Sequence, residues 1–187
     1  MASTKEQGAI VRCARLLAWI VLAVTLGVNT PAAAASPRTL VASVERVSDG
    51  DSVTALSDNN TKLRIRLLGI DAPEVAHDTK PGQPYGEEAR DYLDHLIGGK
   101  SVRVEVYGRD QYNRLLAVLW DEEVNVNLLM VAMGYAEVYR GASCVAQCRE
   151  LEAAAAKARK GRVGMWTQGA RYESPRDFRR RMRLSGN

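Results

Sequence analysis

The chain has 187 residues, 46% of them hydrophobic and 26% charged, the make-up of one globular domain with appendages, which excludes fibrous and intrinsically disordered classes. Three cysteines are too few for a disulfide-built scaffold. The formal charge of +4 invites a nucleic-acid reading, but residues 36–170 hold 17 basic and 19 acidic side chains, a net of −2, so the basic excess sits at the two ends. Function therefore has to be argued from particular residues.

Lys5, Arg12 and Arg15 precede an apolar run from Leu16 to Val28, and the small residues Ala32 to Ser36 follow. This is the pattern of a secretory signal peptide cleaved near Ala34 or Ala35. Its 13 core residues fall short of the roughly 20 that span a bilayer as a helix. The expected organisation is a signal peptide over 1–35, a domain over 36–168 and a basic tail over 169–187. The protein is then periplasmic or secreted; the alternative is an uncleaved segment anchoring it to a membrane, facing outside. Cys13 leaves with the signal. Cys144 and Cys148 remain, and a disulfide or two small buried residues both fit them, since one helical turn is poor geometry for the bond.

Leu40 to Val47 and Ser52 to Leu56 read as strands joined at Ser48-Asp49-Gly50-Asp51. The turn cluster Ser57-Asp58-Asn59-Asn60 leads into a third strand, Lys62 to Leu67, in which basic and apolar residues alternate with the period of two that a half-buried strand requires. Val75 to Pro84 is a loop. Ala89, Tyr92, Leu93, Leu96 and Ile97 mark one side of an amphipathic helix that ends at Gly98-Gly99. Ser101 to Tyr107 and Leu115 to Trp120 are two more strands. Asn125 or Asn127 can cap a second helix closed by Gly134, and Ser143 can cap an Ala-rich third helix closed by Gly161. Five short strands with a helix after the third describe an α+β, mainly β fold: a five-stranded OB-type Greek-key barrel with three helices. The Arg-rich tail lacks an apolar stripe and is expected to be a solvated terminus, with attraction to a nucleic-acid backbone or an anionic membrane as the functional alternative.

Three stretches carry chemistry. Asp49-Gly50-Asp51 places two carboxylates around a turn. Arg66-Leu67-Leu68-Gly69-Ile70-Asp71-Ala72-Pro73-Glu74 delivers a guanidinium from a strand and two carboxylates from its exit. Arg109-Asp110-Gln111-Tyr112-Asn113-Arg114 precedes the last strand. Singly, each reads equally well as a turn or a solvated strand face. Together, two arginines and several carboxylates without a His, Ser or Cys nucleophile suit the stabilisation of phosphate oxygens around a cation, because the planar arginine fork matches phosphate. His77 and His95 read as loop and helix-surface residues.

These stretches, with Tyr85-Gly86-Glu87-Glu88-Ala89, Leu115-Leu116-Ala117, Val126-Asn127-Leu128-Leu129 and Gly134-Tyr135-Ala136 in the same order and spacing, resemble the staphylococcal nuclease (thermonuclease) family from about Leu40 to Trp166. The resemblance implies an OB-fold, calcium-dependent hydrolase that cuts phosphodiester bonds in DNA and RNA and leaves 3′-phosphorylated ends. It implies Asp51 and Asp71 as carboxylate ligands of one Ca²⁺, with the backbone carbonyl of Ala72 at a position that is commonly Thr, and Asp49 as an outer-shell carboxylate. Glu74 matches the general base, and Arg66 and Arg114 match the transition-state arginines. Asn113 replaces a Gly, and Asn tolerates the positive φ that such a turn needs. Tyr112, Tyr139 and Arg140 are the substrate-binding candidates. A monomer without a stable protein partner is expected. The alternative is a non-catalytic OB-fold module that binds nucleic acid or a protein.

Overall fold

The computed structural model describes residues 37–77, 80–141 and 146–185. The expected signal segment 1–35, with Cys13, and the proposed cap Ser143 and Cys144 lie outside the described residues. Cys148 is disulfide-bonded.

Strands β1 (Arg38–Asp49), β2 (Ser52–Ser57) and β3 (Lys62–Leu67) form an antiparallel meander, followed by the two-residue β4 (Ile70–Asp71). After helix α1 (Gly86–Ile97) come β5 (Ser101–Arg109) and β6 (Leu115–Asp121), a second antiparallel pair. The long β1 serves both halves: residues from Ala42 onward pair with β2, while Arg38 to Ser43 pair with β5. Irregular register after Val44 and Val47 gives β1 the bend that this double duty requires. Parallel pairing of β3 with β6, Ile65 opposite Leu115 and Leu67 opposite Ala117, closes a five-stranded mixed barrel of the OB type. Closure removes the unpaired edges that an open sheet would expose.

The period-two pattern decides which side of each strand is inside. Ile65 and Leu67 of β3 are each 1% exposed, a burial that stabilises by about 1.5–3 kcal/mol per side chain. Helix α1 closes one end of the barrel with Ala89, Leu93 and Ile97, spaced by four, all buried. Beyond β7 (Val124–Asn125), helix α2 (Val126–Ala132) is capped by Asn125, whose side chain accepts a hydrogen bond from the Leu128 amide at 2.9 Å. Asn127 has a different task. Fully buried, it accepts from the Leu119 amide at 3.0 Å and donates to the carbonyls of Leu68 (2.9 Å) and Ala117 (3.1 Å). It therefore ties α2 to β6 and to the turn between β3 and β4.

After β8 (Glu137–Val138), which pairs with β4, comes helix α3 (Cys148–Gly161), and then a 3₁₀ segment, Gly164–Arg171. The α3 N-cap is Gln147 in a left-handed conformation rather than Ser143. A second correction concerns the tail. It is not an unstructured terminus: Pro175–Ser185 forms a further helix, α4, which makes four α-helices among the described residues rather than three. Ser174 caps it, accepting from the Asp177 amide at 3.1 Å and donating to the Asp177 carboxylate at 2.8 Å. Pro175 takes the first helical position, and Pro175 and Phe178 are buried. One apolar turn anchors the helix, where the sequence reading asked for a continuous stripe. No helix among the described residues is long and apolar enough to cross a membrane.

Candidate active site

The exit of β3 assembles the site. Ser52 stands opposite Arg66 in the β2–β3 ladder, and the Leu67 amide donates to the Asp51 carbonyl at 2.8 Å. Gly69, at φ 80°, then turns the chain into β4, whose pairing with β8 fixes Asp71. Both carboxylates are interior, Asp51 at 5% and Asp71 at 1% exposure. Arg66 bridges them: Nη1 is ion-paired with Asp51, and Nη2 donates to Asp71 Oδ1 at 2.8 Å. Asp51 also accepts from the Ala72 amide at 2.8 Å and from the Ser52 hydroxyl at 3.0 Å, while its own amide donates to Asp49 at 3.0 Å.

Burial sets the electrostatics. It pushes the Asp49 carboxyl above its ordinary value, against the lowering pull of the Arg66 and Arg114 charges and the Ser52 hydrogen bond. Burial lowers the Arg66 guanidinium, against the raising influence of Asp71 and Asp49. Arginine remains cationic under such a shift. Arg66 is therefore a desolvated cation between desolvated anions, where charge interactions are far stronger than in water.

Two glycines make the assembly possible. A Cβ on Gly50 would lie 2.7 Å from the Ala89 Cβ and 2.8 Å from the Ala72 Cβ, so the β1–β2 turn, the Ala72 loop and α1 pack together only without a side chain there. A Cβ on Gly86 would collide with the Glu74 carbonyl oxygen. The loop carrying Glu74 is held further by Gln83, 6% exposed, whose amide donates to the Glu74 carbonyl at 2.8 Å and whose side-chain oxygen accepts from the Glu74 amide at 3.3 Å. Its Nε2 donates to the Glu173 carbonyl at 2.6 Å, linking this loop to the entry of α4. Gly86 and Ala89 of the Tyr85-Gly86-Glu87-Glu88-Ala89 stretch thus act as backing for the site.

Arg114 reaches the same end of the barrel from the β5–β6 turn. Asn113 adopts φ 60°, as its residue type permits. Asp110 organises the turn, accepting from the amides of Tyr112 and Arg114, each at 2.9 Å, and from Arg114 Nε at 2.7 Å. The Arg114 Nη1 lies 3.5 Å from the Ser52 hydroxyl, and its guanidinium carbon lies 5.6 Å from the centre of the exposed Tyr112 ring.

The sequence reading missed Arg179. From α4 it sets Nη1 3.0 Å from Asp71 Oδ1 and Nη2 2.8 Å from Asp71 Oδ2, and Nη1 also donates to Glu74 at 2.6 Å. Burial would lower its pKa, but the hydrogen bonds to Asp71 and Glu74 and their charges outweigh it and raise the guanidinium further. The structure thus brings Asp51, Asp71, Ala72, Glu74 and Arg66 into one cluster, with Asp49 and Arg114 beside it. Tyr139 and Arg140 are exposed and line a cleft of about 800 Å³ that opens from Asp71.

Asp51, Asp71 and Glu74 offer only oxygen donors, the chemistry a hard divalent cation takes, although among the described residues no group of three or more acidic, His or Cys side chains is gathered closely enough to hold one. Asp51, Asp71 and Glu74 carry three negative charges, and Arg66 balances one. Without Arg179, two remain, the charge of one Ca²⁺, and all the donors are oxygens.

Residues 64–168 match the family model described as staphylococcal nuclease homologue. Proteins named probable endonuclease LCL3 are similar to this chain: that of Phaeosphaeria nodorum is 39% identical over 153 residues, 72% of this chain and 51% of its own length. The protein of that name from Sclerotinia sclerotiorum is 37% identical over 139 residues, covering 68% and 52%. That of Clavispora lusitaniae is 33% identical over 182 residues, covering 81% and 77%. The chain spans about half the length of the first two.

Proposed function

Because the chain belongs to the staphylococcal nuclease family, we propose that it hydrolyses phosphodiester bonds in DNA and RNA in a calcium-dependent reaction, leaving 3′-phosphorylated ends. The observation that carries this reading is the convergence of Arg66 with Asp51, Asp71 and Glu74 at the exit of one strand, with Arg114 close by. Asp51, Asp71 and the Ala72 carbonyl are the proposed calcium ligands, and Asp49 supports Asp51 through the turn. Bound calcium would supply Lewis-acid polarisation of the phosphate and a template for it.

Glu74 is half-exposed at the rim, where it can take the proton of an attacking water. Arg66 is fixed before substrate arrives, and Arg114 is held in its turn by Asp110; preorganised donors of this kind meet the charge that builds on the phosphoryl oxygens at no cost of reorganisation. Tyr112, beside Arg114, and Tyr139 with Arg140 are the proposed contacts to flanking nucleotides. The reading includes export by the leader sequence and action as a monomer; N-terminal sequencing of the mature protein and its mass in solution check these two points.

The test is cleavage of single-stranded DNA and RNA with calcium against EDTA, with the product ends identified. Calcium-dependent products with 3′-phosphates support the reading. Binding without cleavage at millimolar calcium would replace it with a non-catalytic OB-fold module.

A further inference from the structure

We propose that α4 forms one wall of a binding track for the polynucleotide backbone, running outward from Asp71; this rests on the nuclease reading for its substrate class. The cleft of about 800 Å³ that begins at Asp71 is lined by Arg140, Arg159 and Arg162 from the β8 and α3 side and by Arg176, Arg180 and Arg183 from α4. All six are exposed. None of the six side chains makes an ion pair or hydrogen bond among the described residues, although Arg159 stacks on Trp166 with its guanidinium carbon 4.2 Å from a ring centre.

The arginines of α4 divide by task. Arg181 pairs with Glu173 at 2.7 Å, and Arg179 clasps Asp71 and Glu74. With buried Pro175 and Phe178, and Gln83 bonded to the Glu173 carbonyl, these contacts fix the helix against the domain. Arg176, Arg180 and Arg183 follow the i, i+4, i+7 spacing of one helical face, about 10 Å from first to last at 1.5 Å per residue. They stand unpaired across from three more unpaired arginines. Like charges brought together this way are unfavourable until an anion enters between them, and the arginine fork fits phosphate oxygens bidentately.

The acidic groups in the lining offset only part of this charge. Asp71 is held by Arg66 and Arg179; Asp177, bonded to Ser174, and Glu137, which accepts from the Tyr172 hydroxyl at 2.6 Å and faces the Arg140 and Arg159 charges, are two carboxylates against six guanidinium groups, so positive charge stays in excess. Exposed Tyr139 adds an aromatic face on which a base can stack. A regularly spaced polyanion is the ligand that meets several of these guanidinium groups at once. The family match ends at residue 168, so the α4 wall lies outside the matched segment.

The test is fluorescence anisotropy with a labelled 20-nucleotide single-stranded DNA in EDTA, where the assay reads binding alone. The triple variant Arg176→Ala, Arg180→Ala, Arg183→Ala is expected to bind at least about ten-fold more weakly at low salt. Its log–log salt slope should fall by about 2, near 0.7 per lost phosphate contact on single strands. A dinucleotide, too short to reach the track, should bind both proteins alike. The corresponding triple Lys variant should keep most of the slope. Unchanged affinity and slope in the Ala variant, a Lys variant as weak as the Ala variant, or binding to phosphatidylserine vesicles in place of the oligonucleotide would each overturn the track. A wild-type protein that binds with this dependence yet never cleaves would leave the track standing and remove the nuclease reading instead.

Discussion

The guanidinium of Arg179 lies bidentate on the carboxylate of Asp71, with Nη1–Oδ1 at 3.0 Å and Nη2–Oδ2 at 2.8 Å across 108 positions of sequence. A cation that takes Asp71 as a ligand must share it with Arg179 or displace it. Arg179→Ala should therefore tighten calcium binding by roughly ten-fold, equivalent to about 1.4 kcal/mol, read by calorimetry without substrate. The same substitution should destabilise the metal-free protein by about 1–3 kcal/mol, since Asp71 is left buried with fewer donors. Unchanged calcium affinity would show that Arg179 and the metal do not compete.

Glu74 and Arg66 differ in what their removal disturbs. Glu74→Gln loses the charge but little packing, and should lower the turnover number by about 10²–10⁴ with a nearly unchanged melting temperature. Arg66 is interior and bridges two buried carboxylates, so Arg66→Ala should abolish activity and also cost about 3–5 kcal/mol of stability. Near wild-type turnover in Glu74→Gln at saturating calcium would remove it as the base.

On the proposed metal site, Asp51→Asn and Asp71→Asn should each raise the calcium concentration needed for half-maximal activity, because each removes a charged ligand. Magnesium should substitute poorly, as it gives up water reluctantly and requires stricter octahedral geometry. Equal turnover with either metal would count against the ligand set.

The Asp110 carboxylate holds Arg114 through two hydrogen bonds and takes a third from the Tyr112 amide. Its modest burial would raise the carboxyl pKa, but the hydrogen bonds from Arg114 and Tyr112 and the Arg114 charge outweigh that and lower it from 3.8. A carboxyl lowered in the folded state stabilises fully above its unfolded value and loses that contribution as pH falls through the folded value. Asp110→Asn should thus lower the melting temperature at pH 7 and converge with wild type in strong acid. Its turnover should fall too, as Arg114 loses its brace. A constant difference in melting temperature at every pH would mean that the charge is not what stabilises the turn.

The barrel was legible in the sequence because each strand carries its own alternation, as in Lys62 to Leu67, and each turn its own residue signal. The site was legible because Arg66, Asp71 and Glu74 come from one short exit segment. Arg179 was not, since six arginines in the tail look alike and only the fold shows which one faces Asp71. The helix that carries Arg179 did leave a trace, Ser174-Pro175-Arg176-Asp177, a cap, a first-turn proline and a reciprocal carboxylate. It carries no long apolar stripe, because Pro175 and Phe178 alone are its buried anchors. Gln83 carried no signal at all: a polar residue in a proline-rich loop reads as solvated until its four hydrogen bonds are seen.

Gly50 tests whether the site depends on close approach of its three supporting segments. Its missing side chain lets the β1–β2 turn sit against Ala72 and Ala89, where a Cβ would come within 2.8 Å and 2.7 Å of theirs. Gly50→Ala should cost about 1–3 kcal/mol of stability by overpacking, and it should weaken calcium binding because Asp51 is the next residue in the turn. Adding Ala89→Gly removes one of the two clashes while costing about 1 kcal/mol of helix propensity. The double variant should therefore be more stable than the sum of the single effects predicts, a coupling of at least about 0.5 kcal/mol in a double-mutant cycle. Calcium affinity should recover in parallel. Strict additivity in both measurements would show that Gly50 is there for the turn alone, and that contact with α1 does not position Asp51.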